Sequence, residues 1–283
     1  QRPPHRSRQR GGTQLSIMYH WVLQGMQATA AALPFLGTVV DAPFGKFGLP
    51  SRWNVHGNAG WMVMECVAPI ITTLSFFSVS AHHEVHVWAW RMLSLFQLHY
   101  ANRALIQPLL NAPRSPLHIS VVLSAVAFNA ANGFLMGTWL AHGGSAPPPG
   151  MKLGSYIGLV LFALGVVGNV SHDALLRSLR LTPPSSSEQV VQHGACIYRI
   201  PHGGLFRWIS YPHYVCEWIE WTGYALTCIA VVPHTPDALV SYPPVLFVML
   251  EVGAMLPRAM RGHAWYQRHF ATYPARWAIV PFV

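Results

Sequence analysis

The sequence predicts an all-α polytopic membrane protein of about seven transmembrane helices, with a long cytoplasmic loop between the fifth and sixth. Three observations predict it. Only 10% of the 283 residues are charged while 52% are hydrophobic, against about 25% charged in ordinary soluble domains. Long stretches carry no Asp, Glu, Lys or Arg at all: residues 11–40, Ser115–Met151 and Leu153–His172. The basic residues gather in alternate connections between the apolar runs. A mean hydropathy of +0.31 agrees. This balance excludes a disordered chain, a collagen-like chain and a coiled coil.

The expected spans are residues 15–40, 58–80, 86–107, 117–141, 153–172, 209–232 and 240–260. Each approaches or exceeds the ~20 residues that cross about 30 Å of hydrocarbon. The runs are continuously apolar rather than alternating, so they read as helices and not barrel strands. Residues 1–14, with four arginines by position 10, read as a disordered arm or tag remnant. Residues 15–283 read as one transmembrane domain. No repeat of 20–50 residues is visible.

Loop charge sets the expected orientation. Connections after odd spans carry Lys46, Arg52, Arg114, Arg177, Arg180, Arg199 and Arg207, and the tail carries Arg261, Arg268 and Arg276. Connections after even spans (81–85, 142–152 and 233–239) hold only Lys152. The positive-inside rule then puts the odd loops and the C-terminus in the cytoplasm; the N-terminal arginines alone vote against it. The net charge of +9 is scattered, with no basic stripe, which argues against nucleic acid and for anionic lipid headgroups or a phosphorylated cofactor. Cys66, Cys196, Cys216 and Cys228 lack metal spacing, so no metal and no disulfide framework are expected.

Ionisable groups nonetheless interrupt the apolar runs: Glu65, Arg91, Arg103, Glu217, Glu220 and Glu251. Such groups normally face a cavity or a partner. His99, Tyr100, Asn129, Asn132, Asn169, Tyr211, His213 and Tyr224 add hydrogen-bonding capacity. Many of these polar groups lie towards the expected cytoplasmic ends, beside the long basic loop 173–208 with its Gly203–Gly204 pair. That arrangement suits a membrane enzyme taking a soluble anionic cofactor from one side and a lipid-like substrate from the bilayer. The loop equally suits anionic lipid. No G-x-G-x-x-G follows a strand, so a Rossmann fold is not expected.

Several motifs carry a resemblance. They are GNVSHDALLRSLR (168–180), YRIPHGGLF (198–206), SYPHYVCEWIEWTGYAL (210–226) and the tail RAMRGHAWYQRHFATYPARWAIVPFV (258–283). Sparser matches are APFGKFG (42–48), Glu65, LHYANR (98–103) and LLNAPR (109–114). Together they resemble the steroid 5α-reductase family of the endoplasmic reticulum membrane over most of residues 40–283. The resemblance implies NADPH-dependent reduction of the carbon 4–5 double bond of a 4-ene-3-oxo steroid to a 5α-3-oxo steroid. It implies a steroid or other lipid-like enone as substrate and membrane lipid as surroundings. In a bacterium the site would be the inner membrane.

By the same resemblance the catalytic pair is Tyr100 and Glu65, which polarise the 3-oxo group. The cofactor-binding residues are Asn169, Asp173, Arg180, Tyr198, His213, Glu217, Arg258, His263 and Tyr266, with Arg103 and Arg114 on neighbouring helix ends, so that residues 153–283 mainly bind cofactor. Two positions depart from the family's pattern. His213 stands where vertebrate steroid reductases tend to have Asn, and Gly262 replaces one histidine of a usual pair. Two other functions stay open: a reductase of the same architecture acting on a trans-2-enoyl thioester or a polyprenol, and a non-catalytic sterol-binding or transport protein.

Overall fold

The computed structural model describes residues 5–143, 152–186, 188–193, 196–230 and 236–281; the side chains of residues 5–13, 143, 236 and 237 fall outside that description. Most of the expected loop 142–152, and residues 233–235 of the expected loop 233–239, therefore lie outside the described residues. The helices follow the apolar runs: α1 His5–Val39, α2 Gly57–Ser80, α3 Val87–Tyr100, α4 Gln107–Leu110, α5 Ile119–Gly143, α6 Leu153–Leu181, α7 Pro212–Ile229 and α8 Pro243–His269. Helix α1 begins within the stretch expected to be an arm.

Helix starts follow local chemistry. His56 and His86 accept the orphan amides of Ala59 and Trp88 through Nδ1, capping α2 and α3. Helices α7 and α8 open on Pro212 and on Pro243–Pro244, where a missing N–H costs nothing.

Four helices among the described residues are long and apolar enough to cross a membrane: Gly57–Ser80, Ile119–His142, Leu153–Leu181 and Pro243–His269. Helices α1, α3 and α7 of the expected seven are not among them. Helix α3 has 14 residues, about 21 Å at 1.5 Å per residue. Helix α7 gives two of its 18 residues to Glu217 and Glu220. Outward-facing Trp21, Phe35, Leu74, Tyr156, Val160, Leu164 and Val167 are all more than half exposed, an apolar exterior suited to lipid.

Two features differ from the expected all-α plan. Two short antiparallel ribbons accompany the helices: β1 Asn54–Val55 with β2 Leu117–His118, and β3 Val190–His193 with β4 Cys196–Arg199. Helix α6 also runs nine residues beyond the expected fifth span, so Asp173, Arg177 and Arg180 lie on helix rather than in a loop. Leu175, Leu176 and Leu179 keep the sequence helical there, and i,i+4 spacing lines Asn169, Asp173 and Arg177 along one face.

The connection after α6 is fastened at both ends. Arg199 donates to Glu188 and to the Leu179 and Thr182 carbonyls at the end of α6; this pairing holds the Glu188 carboxyl below the usual carboxylate range. The Gly203–Gly204 pair turns the chain with φ +92° and +50°, and the Leu205 amide donates to His172 Nε2 at 2.9 Å. The glycines thus dock the loop on α6 by conformations that side chains rarely adopt.

Packing joins α6 to α7 and α2 to α5 at backbone distance. A Cβ on Gly165 would lie 2.3 Å from the Glu220 amide nitrogen, and one on Gly137 would lie 2.2 Å from the Thr72 carbonyl oxygen. Small residues let membrane helices approach this closely. Gly165→Ala should therefore lower the thermal unfolding midpoint in detergent by several degrees, whereas Gly25→Ala, with nothing within 4 Å of its added methyl, should not. Equal midpoints for the two variants would refute the packing argument. Between the helix pairs lies an aromatic core of Phe76, Trp88, Phe96, Tyr100, Trp221, Tyr224 and Phe247, with Trp221 and Phe247 edge to face at 4.7 Å.

Candidate active site

The polar centre is assembled where α3 gives way to a π-helical turn, Ala101–Ile106. Such turns recur at functional sites. Tyr100 closes α3 and is only 3% exposed; its ring lies 4.8 Å from Phe96 and 5.1 Å from His99. Three residues on, within the π turn, Arg103 reaches two helices. Its Nε lies 3.5 Å from Glu65 Oε1 on α2, and its Nη1 lies 3.3 Å from Glu217 Oε2 on α7. The guanidinium also stands 5.1 Å from the centre of the Trp61 ring. Glu65 thus faces Arg103 rather than hydrogen-bonding Tyr100.

Glu217 and Glu220, neighbours on one face of α7, take different partners. Glu220 Oε1 and His99 Nδ1 share a hydrogen bond of 2.5 Å, with both side chains buried. Trp221 packs on the His99 ring at 4.6 Å. His99 and Glu220 were visible in the sequence as intramembrane polar groups, but nothing there paired them, because 121 residues separate them.

The expected cofactor residues fall into two neighbouring groups and one outlier. In the first, Asn169 Nδ2 donates to the His213 carbonyl at 3.0 Å and to Glu217 Oε2 at 3.5 Å, joining α6 to the Arg103 centre. Asp173 accepts from Gln107 Nε2 at 2.7 Å; Gln107 carried no signal in the sequence. Arg114 lies 4.3 Å from the Trp61 ring centre, and its amide is held by Asn58 Oδ1. Burial, with Arg103 and Arg180 nearby, pushes the Arg114 guanidinium down to about 10.

The second group surrounds the loop after α1. Arg258 lies 3.6 Å from the Phe44 ring centre and donates to the Phe44 carbonyl. Tyr198 and Tyr266 flank Trp265, and burial pushes the Tyr198 phenol up to about 12. Arg180 is exposed at the end of α6. His263 is the outlier: its Nδ1 meets Ser210 Oγ at 2.7 Å, and Ser210 in turn meets Tyr273.

The centre has unmet hydrogen-bonding capacity. His213 Nδ1, Arg114 Nε and Gln107 Oε1 are buried with no partner. Orphaned buried polar atoms are costly, so these residues fit a polar, charge-bearing ligand. Among the described residues no group of three or more His, Cys, Asp and Glu is placed to hold a metal ion.

The fold and centre define a helical membrane protein with a buried, charge-paired site joining α2, the π turn, α6 and α7. A family model described as 3-oxo-5-alpha-steroid 4-dehydrogenase matches residues 115–283. The chain is 34% identical to 3-oxo-5-alpha-steroid 4-dehydrogenase 2 of Homo sapiens over 272 residues, covering 93% of this chain and 96% of the relative. It is 30% identical to 3-oxo-5-alpha-steroid 4-dehydrogenase 1 of Homo sapiens, covering 86% of each. An uncharacterized protein of Schizosaccharomyces pombe is 38% identical over 267 residues, 86% of this chain and 92% of the relative. The chain belongs to the 3-oxo-5-alpha-steroid 4-dehydrogenase family, a family of oxidoreductases.

Proposed function

We propose that the protein is an NADPH-dependent steroid 5α-reductase of the endoplasmic reticulum membrane, with seven spans and a cytoplasmic C-terminus, reducing the carbon 4–5 double bond of 4-ene-3-oxo steroids. The observation that carries this reading is Arg103 bridging Glu65 and Glu217. It ties the helix ends bearing Tyr100 to those bearing Asn169 and Asp173, which puts the substrate-side and cofactor-side residues in one buried network.

The chemistry then divides among the residues. NADPH, when bound, supplies the hydride. The Tyr100 hydroxyl donates to the 3-oxo group, where negative charge develops as carbon 5 is reduced. A donor preorganised in a dry site favours that charge far more than water does. Glu65, held by Arg103, biases the Tyr100 proton electrostatically. Arg103, Arg114, Arg180 and Arg258 suit phosphates, because the guanidinium fork matches oxyanions. Asn169, Asp173, His213 and Glu217 suit ribose hydroxyls and a carboxamide, and Tyr198, His263 and Tyr266 complete the set.

NADPH consumption by the detergent-purified protein, measured against 4-ene-3-oxo steroids, trans-2-enoyl thioesters and polyprenols, tests the reading. Steroid-dependent consumption with a 5α-3-oxo product is expected. Turnover confined to the thioesters or polyprenols would overturn the substrate class, and binding of steroid without turnover would overturn the enzyme.

A further inference from the structure

Glu251 interrupts the apolar run of α8, yet no role above uses it. The other acids of the centre have partners: Glu65 and Glu217 meet Arg103, Glu220 meets His99, and Asp173 meets Gln107. Glu251 has neither an ion-pair nor a hydrogen-bond partner among the described residues. A carboxyl at membrane depth without a protein partner normally faces a cavity or a ligand.

The helix register says which way it faces. Phe247, Glu251, Ala254 and Arg258 follow one another at i+4, i+3 and i+4, so they share one face of α8. Met249 and Met260, on the opposite face, are 43% and 48% exposed, which marks the lipid side. Both flanks of the shared face are packed. On one, Pro257 meets α1, where a Cβ on Gly37 would lie 2.8 Å from the proline ring. On the other, a Cβ on Gly262 would lie 1.7 Å from Oη of Tyr211, the cap of α7; the glycine admits that ring.

Both ends of the face are closed as well. Phe247 closes the deep end, 4.7 Å from the Trp221 ring and 6.3 Å from that of Phe128. Arg258 closes the other against the Phe44 ring and carbonyl. Between them, Ala254 is exposed and Glu251 partly so. An exposed alanine framed on every side by packed residues opens into the bundle, not to lipid. The structure thus has an inner cleft between α1 and α7 with the Glu251 carboxyl on its wall. Its floor residue Trp221 lies 6.3 Å from the Tyr100 ring, so the cleft adjoins the tyrosine assigned to the 3-oxo group.

We propose that Glu251 is a specificity-determining residue of this cleft: it hydrogen-bonds a hydroxyl on the ring system or side chain of the substrate, so that the preferred substrate is a hydroxylated 4-ene-3-oxo steroid. The proposal rests on the steroid-reductase reading. Ala254 leaves room beside the carboxyl, and a carboxyl accepts from a hydroxyl in either protonation state. A wholly apolar cleft discriminates weakly between a lipid and its hydroxylated analogue. A cleft with a polar group on its wall disfavours the analogue that leaves that group unpaired.

The test is kcat/KM of the full chain in detergent, with NADPH, for matched pairs of 4-ene-3-oxo steroids. The members of each pair differ by one hydroxyl, placed in turn around the ring system and side chain. Wild type should prefer the hydroxylated member of at least one pair by about tenfold or more. Glu251→Leu should abolish that preference, because the apolar side chain favours the analogue without the hydroxyl. Glu251→Gln keeps the hydrogen-bonding capacity and should retain most of it. Should Glu251→Leu fail to fold, Ala254→Phe, which fills the space beside the carboxyl, takes its place and should lose the same preference. A merely structural role would lower both members of a pair alike. No such preference in wild type, an unchanged preference in Glu251→Leu, or its complete loss in Glu251→Gln would overturn the proposal. So would NADPH binding about tenfold weaker in both Glu251 variants, which would assign the carboxyl to the cofactor. A wild-type protein that turns over no steroid of either kind would instead sink the reductase reading on which the proposal rests.

Discussion

Tyr100→Phe should lower turnover by about a hundred- to a thousandfold while leaving NADPH affinity close to that of the parent. The magnitude is that of removing one preorganised donor to a developing oxyanion, about 2.7–4 kcal/mol. The substitution deletes only the hydroxyl. The ring keeps its contacts with Phe96, His99 and Trp221, so the fold should survive. Glu65→Gln should act in the same direction, because it removes the charge that Arg103 holds beside the phenol. If Glu65 works through Tyr100, the double variant should lose little more than the worse single one, since residues acting as a unit are not additive. Single-turnover rates at saturating NADPH with a 4-ene-3-oxo steroid measure this. Near-normal rates in Tyr100→Phe would remove the tyrosine from the mechanism and reopen the substrate class.

Arg103→Leu should be the most damaging substitution for the fold. Arg103 is the only ion-pair partner of both Glu65 and Glu217 among the described residues. Truncating it leaves two buried carboxylates uncompensated, and breaking a buried pair from one side typically costs about 3–5 kcal/mol. The unfolding midpoint in detergent should fall by several degrees, and NADPH binding should weaken as well, since Glu217 also meets Asn169. Adding Glu217→Gln to Arg103→Leu should recover part of the stability, because it removes one of the stranded charges, but not the turnover. An unchanged midpoint in Arg103→Leu would show that the bridge contributes nothing to the fold.

The chain by itself determined the parts that depend on local composition. Continuous apolar runs placed α2, α5 and α7 to within three residues, because a backbone surrounded by hydrocarbon has to satisfy its own hydrogen bonds; α1 starts ten residues before its expected span, and α6 and α8 end nine residues after theirs. The family motifs, such as GNVSHDALLRSLR and YRIPHGGLF, marked the residues that α6, β4, α7 and α8 bring to the two neighbouring groups. Only the tertiary structure decided the pairings. That Glu217 turns to Arg103 while Glu220 turns to His99 follows from how α3 and its π turn pack on α7. Helix i,i+3 spacing cannot indicate it, since it makes the two glutamates look alike. The π turn is invisible in LHYANR because it is set by packing rather than by propensity.

The continuation of α6 to Leu181 was hidden for a related reason. The expected span ended where charge began, whereas a helix held by Arg199 at its last carbonyls can outrun the membrane. Lys46 is the clearest case. In the sequence it is one loop cation among several; in the fold, Tyr198, Tyr211, Trp265 and Tyr266 arrive around it from three distant segments. The glycine that lets Tyr211 in stands 51 positions further along the chain. Charge in a sequence is read by counting, but its chemistry depends on what surrounds it, and for a buried cation those surroundings come from long-range packing.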